Sequence, residues 1–199
     1  MLVTVANQKG GVGKTAIATM LTAYLLREER AVVGCDLDEL RAFTRRCRDM
    51  GVAVREDFQA FALAAERFCI CDTPPGILSG GKRIMEAITR ADLLVVPTGA
   101  ASDSVFAALR VGKCNPNAVA VVRGLTEPQT MEAVGYLREQ AVFTKVLSIK
   151  TYPRISKNFD ENAAQWLRGM QVRQKQELLS VLSQILDHSE GRGFDDGKV

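Results

Sequence analysis

The stretch Leu2-Val3-Thr4-Val5-Ala6-Asn7-Gln8-Lys9-Gly10-Gly11-Val12-Gly13-Lys14-Thr15 decides how the rest of the chain is read. Residues 2–6 are short, apolar and β-branched, and the glycines follow at once. From Lys14 to Arg27 the apolar residues Ile17, Met20, Leu21, Tyr24 and Leu25 recur at helical spacing. Strand, glycine loop and helix in that order suit an anion: glycines let successive backbone N–H groups turn around it, and the helix offers the positive end of its dipole. A plain glycine turn would explain the glycines. It would not explain the adjacent Lys14 and Thr15, whose ammonium and hydroxyl suit phosphate oxygens and Mg²⁺. The pattern Gly-x-x-x-x-Gly-Lys-Thr is met only permissively, because Gln8 stands where the first glycine is usual.

Working outward, residues 31–37 form a second apolar run that ends on Asp36 and Asp38, and residues 68–71 form a third that ends on Asp72-Thr73-Pro74-Pro75-Gly76. Further short β-type runs lie at 93–96, 118–122 and 144–149, with amphipathic stretches between most of them. Strands alternating with helices predict an α/β fold, a mostly parallel twisted sheet with helices on both faces. The segment 40–65 is less regular, with a short strand expected at 52–54 and an apolar helix at 58–65. Beyond Asn158 the pattern is helical, and Leu178, Leu179, Leu182, Ile185 and Leu186 form one apolar stripe. The expected organisation is a single domain over 1–187 and a polar, flexible tail over 188–199.

The 199 residues, 47% hydrophobic and 25% charged, have the balance of a globular protein with one core. Five cysteines with no C-x-x-C spacing predict reduced thiols, and the single histidine, His188, has no neighbouring ligands for a zinc site. No run approaches the roughly 20 apolar residues of a membrane span, and no secretory leader precedes the first strand, so a cytoplasmic location is expected. The net charge of +3 permits contact with nucleic acid without requiring it.

The run Lys9-Gly10-Gly11-Val12-Gly13-Lys14-Thr15 resembles the deviant Walker A loop of the ParA/MinD superfamily of P-loop NTPases. That superfamily includes partition ATPases, septum-site regulators, the nitrogenase iron protein and arsenical-pump ATPases. The resemblance implies ATP and Mg²⁺ as cofactors, with the nucleotide lined by Gly10, Gly11, Val12, Gly13, Lys14, Thr15 and Ala16, and with Pro153 at the base. It implies two protomers facing each other across ATP, with Lys9 reaching the partner's phosphates and Lys14 acting within its own chain. Asp36 and Asp38 resemble the Asp-x-Asp motif, which implies that Asp38 orients the attacking water and that Asp36 lies nearer the metal. Asp72 resembles the Walker B aspartate, which places it with Thr15 and Asp36 at Mg²⁺. The bland alternatives are a surface lysine at Lys9 and a strand-end turn with helix-capping carboxylates at Asp36 and Asp38. The chain departs from the family pattern at Glu39-Leu40, where Pro-Gln is usual, at Ala16, where a second threonine is usual, and at Arg123, where many relatives carry an asparagine that can read adenine.

Similarity to the compact ParA-type partition ATPases implies an ATP-dependent homodimer that binds nonspecific double-stranded DNA and associates with the nucleoid. A small centromere- or cargo-binding adaptor would stimulate hydrolysis. Lys145, Lys150, Arg154, Lys157, Arg168, Arg173 and Lys175 form one basic enrichment, and Arg41 to Arg48 contain a second. Two alternatives stay open: a MinD-like positioning ATPase, and an ATP-dependent enzyme on the same fold. The first needs a basic amphipathic C-terminal helix, whereas Asp187, Glu190, Asp195 and Asp196 follow the last stripe, so no membrane partner is expected.

Overall fold

A computed structural model describes residues 1–55, 68–76, 81–124, 126–150, 158 and 165–190, with 188–190 described by their backbone alone. The expected helix at 58–65, the residues Pro153, Arg154 and Lys157, the His188 side chain and the tail beyond 190 lie outside the described residues.

Seven strands form one sheet: β1 (Leu2–Val5), β2 (Val32–Asp36), β3 (Val54–Arg55), β4 (Phe68–Asp72), β5 (Leu93–Gly99), β6 (Ala118–Arg123) and β7 (Lys145–Ser148). Their order is β3-β2-β4-β1-β5-β6-β7, and every neighbouring pair is parallel. The sheet is therefore wholly parallel among the described strands. Parallel strands need crossovers, and the helices that make them cover both faces. On one face α1 (Lys14–Arg27), α2 (Ala42–Asp49) and α6 (Val172–Glu190) pack with Val3, Val5, Ile70, Val95 and Val121. On the other, α3 (Lys82–Thr89), α4 (Ser102–Gly112) and α5 (Glu127–Glu139) cover Leu94, Val96, Ala120 and Val122. Because both faces are covered, the central strands read as continuous apolar runs rather than as alternating ones.

The stripe on α6 belongs to this core: Leu178, Leu182, Ile185 and Leu186 are buried in the same cluster as Leu21 and Leu25 of α1. No helix among the described residues is long and apolar enough to cross a membrane. Four of the five cysteines, Cys35, Cys47, Cys69 and Cys71, are buried free thiols. Burial pushes the Cys47 thiol up to about 12, and Cys71, hydrogen-bonded to Cys35, is held well above the usual thiol range.

Two features of the topology place the functional residues. The strand order doubles back at β1, whose neighbours are β4 and β5, and ligands of open parallel sheets bind beyond the C-terminal strand ends at such a reversal. Helix α2 lies unusually close to β2, because a side chain at Gly34 would meet Cys47 Sγ at 2.9 Å and Phe43 Cε1 at 3.3 Å. Leu182→Ala, which empties a fully buried position between α6 and α1, should lower the unfolding free energy by about 2–5 kcal/mol in urea titration. A change inside experimental error would show that α6 is not part of the core.

Candidate functional site

The site begins where β1 ends. Asn7, fully buried, donates from Nδ2 to the Pro97 carbonyl at 2.7 Å and accepts from the Lys9 amide at 3.0 Å, so it ties the loop to β5. On the other side the Gly76 amide donates to the Gln8 carbonyl at 2.8 Å, fastening the turn after β4 to the same loop. Thr73 adds a third tie, from its hydroxyl to the Val5 carbonyl at 2.9 Å. Asn7 carries no signal in the sequence, because a lone asparagine after a strand looks like any turn residue.

Helix α1 starts at Lys14 behind Gly13, which holds a left-handed φ of 96° and supplies no side-chain cap. The first turn also lacks an acidic residue. Among the described residues no acceptor is paired with the backbone N–H groups from Gly10 to Thr15. A helix N-terminus left this way carries unsatisfied donors and a partial positive charge, the usual setting for a bound phosphate. Lys14 adds a full charge: it is 7% exposed, its Nζ donates to the Lys9 carbonyl at 3.1 Å, and burial lowers its pKa against the pull of Asp72 and Asp38.

The carboxylates lie on the adjacent strand ends. Asp36 and Asp72 are register partners across β2 and β4, and both are buried. Asp72 accepts from the Thr15 hydroxyl at 2.7 Å through Oδ2, while its buried Oδ1 has no hydrogen-bond partner. Burial, reinforced by the negative charges of Asp36 and Asp38, pushes the Asp72 carboxyl up to about 7, and the Thr15 hydroxyl and Lys14 only partly offset that rise. An orphaned carboxylate oxygen beside a hydroxyl is a hard-oxygen donor set, and it fits Mg²⁺, which takes one or two protein ligands and keeps the rest of its shell for water and phosphate.

Both oxygens of Asp36 are engaged by the protein. Its Oδ1 accepts from the Asp38 amide at 3.0 Å, and its Oδ2 accepts from the Thr44 amide at 2.8 Å and the Thr44 hydroxyl at 2.9 Å. The N-terminus of α2 has no cap of its own, since Arg41 sits there with a left-handed φ of 52°. Asp36 supplies the missing cap from β2, in keeping with the helix-capping alternative, and the close approach of α2 at Gly34 makes this possible. Asp38 is half-buried and uses one oxygen, Oδ1, on the Leu40 amide at 3.0 Å.

Lys9 is half-exposed and forms an ion pair with Asp103 in the first turn of α4. That pair holds Asp103 below the usual carboxylate range. Nothing in the sequence singles out Asp103, because its contact with the loop spans 94 residues of chain. The loop, Lys14, Thr15, Asp38 and Asp72 are thus brought to one edge of the sheet. Pro153 lies outside the described residues.

The family described as the CobQ/CobB/MinD/ParA nucleotide binding domain matches residues 3–184. Solved structures with the same fold include the septum site-determining protein MinD complexed with Mg-ADP from Pyrococcus horikoshii OT3, at a TM-score of 0.67 and 15% identity over 96% of this chain and 98% of that one. The pNOB8 ParA bound to nonspecific DNA superposes at 0.64 with 14% identity, covering 96% and 99%. The MinC:MinD cell division protein complex of Aquifex aeolicus gives 0.67 at 13% identity, with 98% of each chain covered. No curated protein is similar enough in sequence to match the chain.

The raised Asp72 carboxyl makes a signed prediction for the protein without nucleotide or metal. The unfolded group ionises near 3.8 and the folded one near 7, so the folded state binds more protons between these values and loses stability as pH rises through that window. Asp72→Asn removes the effect. The melting temperature of the variant should therefore climb relative to the parent from about pH 4 to pH 7 and hold a constant gap above it. A gap that does not vary with pH would contradict the burial assigned to Asp72.

Proposed function

The chain belongs to the CobQ/CobB/MinD/ParA nucleotide-binding family, and from that premise we propose that it is an ATPase that dimerises around ATP and positions cargo on nonspecific DNA. The observation that carries the reading is the pairing of opposite deficits at one sheet edge. Unpaired backbone donors and the buried Lys14 call for an anion, and the orphaned Oδ1 of Asp72 calls for a cation. A magnesium nucleoside triphosphate answers both. Of the solved relatives, the P. horikoshii MinD is complexed with Mg-ADP and the pNOB8 ParA is bound to nonspecific DNA, which supports the choice.

In this reading the N–H groups from Gly10 to Thr15 cradle the phosphates, with Val12 and Ala16 as walls, and Lys14 neutralises charge on the β- and γ-phosphates. Thr15 and Asp72 would hold Mg²⁺, which would supply neutralisation of phosphate charge. Asp38, with an oxygen not engaged by the described protein, orients the water that attacks the γ-phosphate. Asp36 acts indirectly, by fixing α2 and the Asp38 amide. Lys9 serves the partner's phosphates, so it must leave Asp103 when the dimer forms; the pair is solvent-exposed and easily exchanged.

The DNA contact rests on charge left over after pairing. Lys150 and Arg173 share Glu177, at 3.1 Å each, and Lys145 donates to the Gln184 carbonyl. Lys175 remains, beside one open depression on the α1/α6 face that Arg27 and Arg168 also line; Arg27 pairs with Glu28 at 3.7 Å, and Arg168 donates to the Gln165 side-chain oxygen at 3.2 Å. On α2, Arg41 and Arg45 likewise spend a nitrogen each on the carbonyls of Asp36 and Leu40, so both basic faces are candidate DNA-binding surfaces. Hydrolysis is slow until an adaptor on the cargo accelerates it.

ATP turnover and light scattering on the same samples test the proposal. Lys14→Ala should abolish nucleotide binding; Lys9→Ala should bind ATP yet stay monomeric; Asp38→Ala should accumulate the ATP-bound dimer with turnover reduced about 100-fold or more. Unchanged turnover in both the Lys9 and Asp38 variants would remove the roles assigned to these residues, and binding without turnover in the parent would reduce the chain to a nucleotide-binding module. Retention on unrelated DNA should require ATP and fall steeply between about 50 and 200 mM salt. ATP-independent retention would remove the coupling between dimer and DNA.

A further inference from the structure

Arg123 ends β6, three strands away from Asp72 on β4 and four from Asp36 on β2, yet its side chain lies against the glycine loop. A methyl group placed on Gly13 would overlap Nη1 of Arg123 and meet its Cζ at 3.2 Å and its Cδ at 3.5 Å. The guanidinium therefore occupies the space that a side chain at position 13 would fill. Glycine there serves two ends: it accepts the left-handed φ of 96° and it admits Arg123.

The charge on Arg123 has no counterpart. It is half-buried, burial lowers its pKa, and among the described residues it makes no ion pair or hydrogen bond. A carboxylate is near: Glu132 of α5 lines the same cavity of about 760 Å³ between α4 and α5 that Arg123 lines, and the two are not paired. The guanidinium sits instead at the positive end of α1, with Lys14 buried in the first turn of that helix. Two cations and a helix N-terminus repel one another unless an anion lies among them, and a half-desolvated guanidinium makes the arrangement costlier still. Arginine is suited to such a place, since its planar fork binds phosphate oxygens in pairs and cannot shed its charge at neutral pH.

We propose that Arg123 is a phosphate-binding residue of this site, delivered within the same chain from the end of β6 onto Gly13, and that its ligand is the phosphate chain of a nucleoside di- or triphosphate. The assignment rests on the nucleotide-binding reading and adds a third cation to Lys9 and Lys14. It differs from base reading at the end of β6: the guanidinium recognises charge, so its contribution is the same for any ligand that carries linked phosphates.

Equilibrium titrations with MgADP, and with inorganic tripolyphosphate competing against a fluorescent ADP analogue, on the parent, Arg123→Gln and Arg123→Lys test it. The glutamine variant should bind MgADP about 10- to 100-fold more weakly, with tripolyphosphate weakened by a similar factor, and lysine should recover part of the loss. Without ligand, Arg123→Gln should melt at the same temperature as the parent or higher, because an unpaired buried charge has been removed, and ADP should raise its melting temperature less. An ADP affinity within about twofold of the parent, or a ligand-free variant that melts clearly lower, overturns the proposal. Weakened ADP with tripolyphosphate unaffected would assign Arg123 to base or ribose and overturns it too. If the folded parent binds no ADP, the nucleotide reading itself fails and Arg123 falls with it.

Discussion

The register between β2 and β4 sets Asp36 directly beside Asp72 at the buried end of a parallel sheet, and much of the rest of the site can be understood as a response to that crowding. Two carboxylates in a dry place cannot both stay ionised without help. Asp36 receives it from three donors, the amides of Asp38 and Thr44 and the Thr44 hydroxyl. Asp72 receives one, from Thr15, and keeps an oxygen unpartnered. Across the same sheet edge the imbalance is reversed, with Lys14 and Arg123 gathered at an uncapped helix N-terminus. Left empty, the edge carries separated, unsatisfied charge of both signs. A ligand that brings a cation to one side and an anion to the other satisfies both.

The fold holds these groups apart as firmly as it holds them near. Asn7 pins the loop to β5 and the Gly76 amide pins the turn after β4 to Gln8, so the glycine loop and the aspartate strand are tied together. Gly34 lets α2 settle onto β2, which lets Asp36 cap α2 at Thr44 and fixes the turn carrying Asp38. By contrast Lys9 is held only by a solvent-exposed ion pair to Asp103. Thr15, Asp36 and Asp72 are thus held by part-buried hydrogen bonds, and the lysine assigned to a partner is loosely held.

Much of this was legible in the residues. The strand-loop-helix start, the acidic ends of β2 and β4, and the apolar stripe of Leu178, Leu182, Ile185 and Leu186 each carry a local pattern, and the structure places them as read. The sheet proved wholly parallel among the described strands, where a mostly parallel one was expected. Contacts between distant segments were not legible. Asn7 to Pro97, Lys9 to Asp103 and Arg123 to Gly13 join elements about 90 to 110 residues apart, and no periodicity encodes them. That Asp36 spends both oxygens on the protein was not legible either, because the Thr44 donors that engage it become visible only when α2 is laid on β2.

The central claim is that one magnesium nucleotide resolves both charge deficits at once, and calorimetric titration with MgADP at pH 7, repeated in buffers of different ionisation enthalpy, tests it most directly. Asp72 titrates near 7, so binding that ionises it should saturate at one nucleotide per chain and release about half a proton. No saturable heat, or binding with no proton released in any buffer, would contradict the claim.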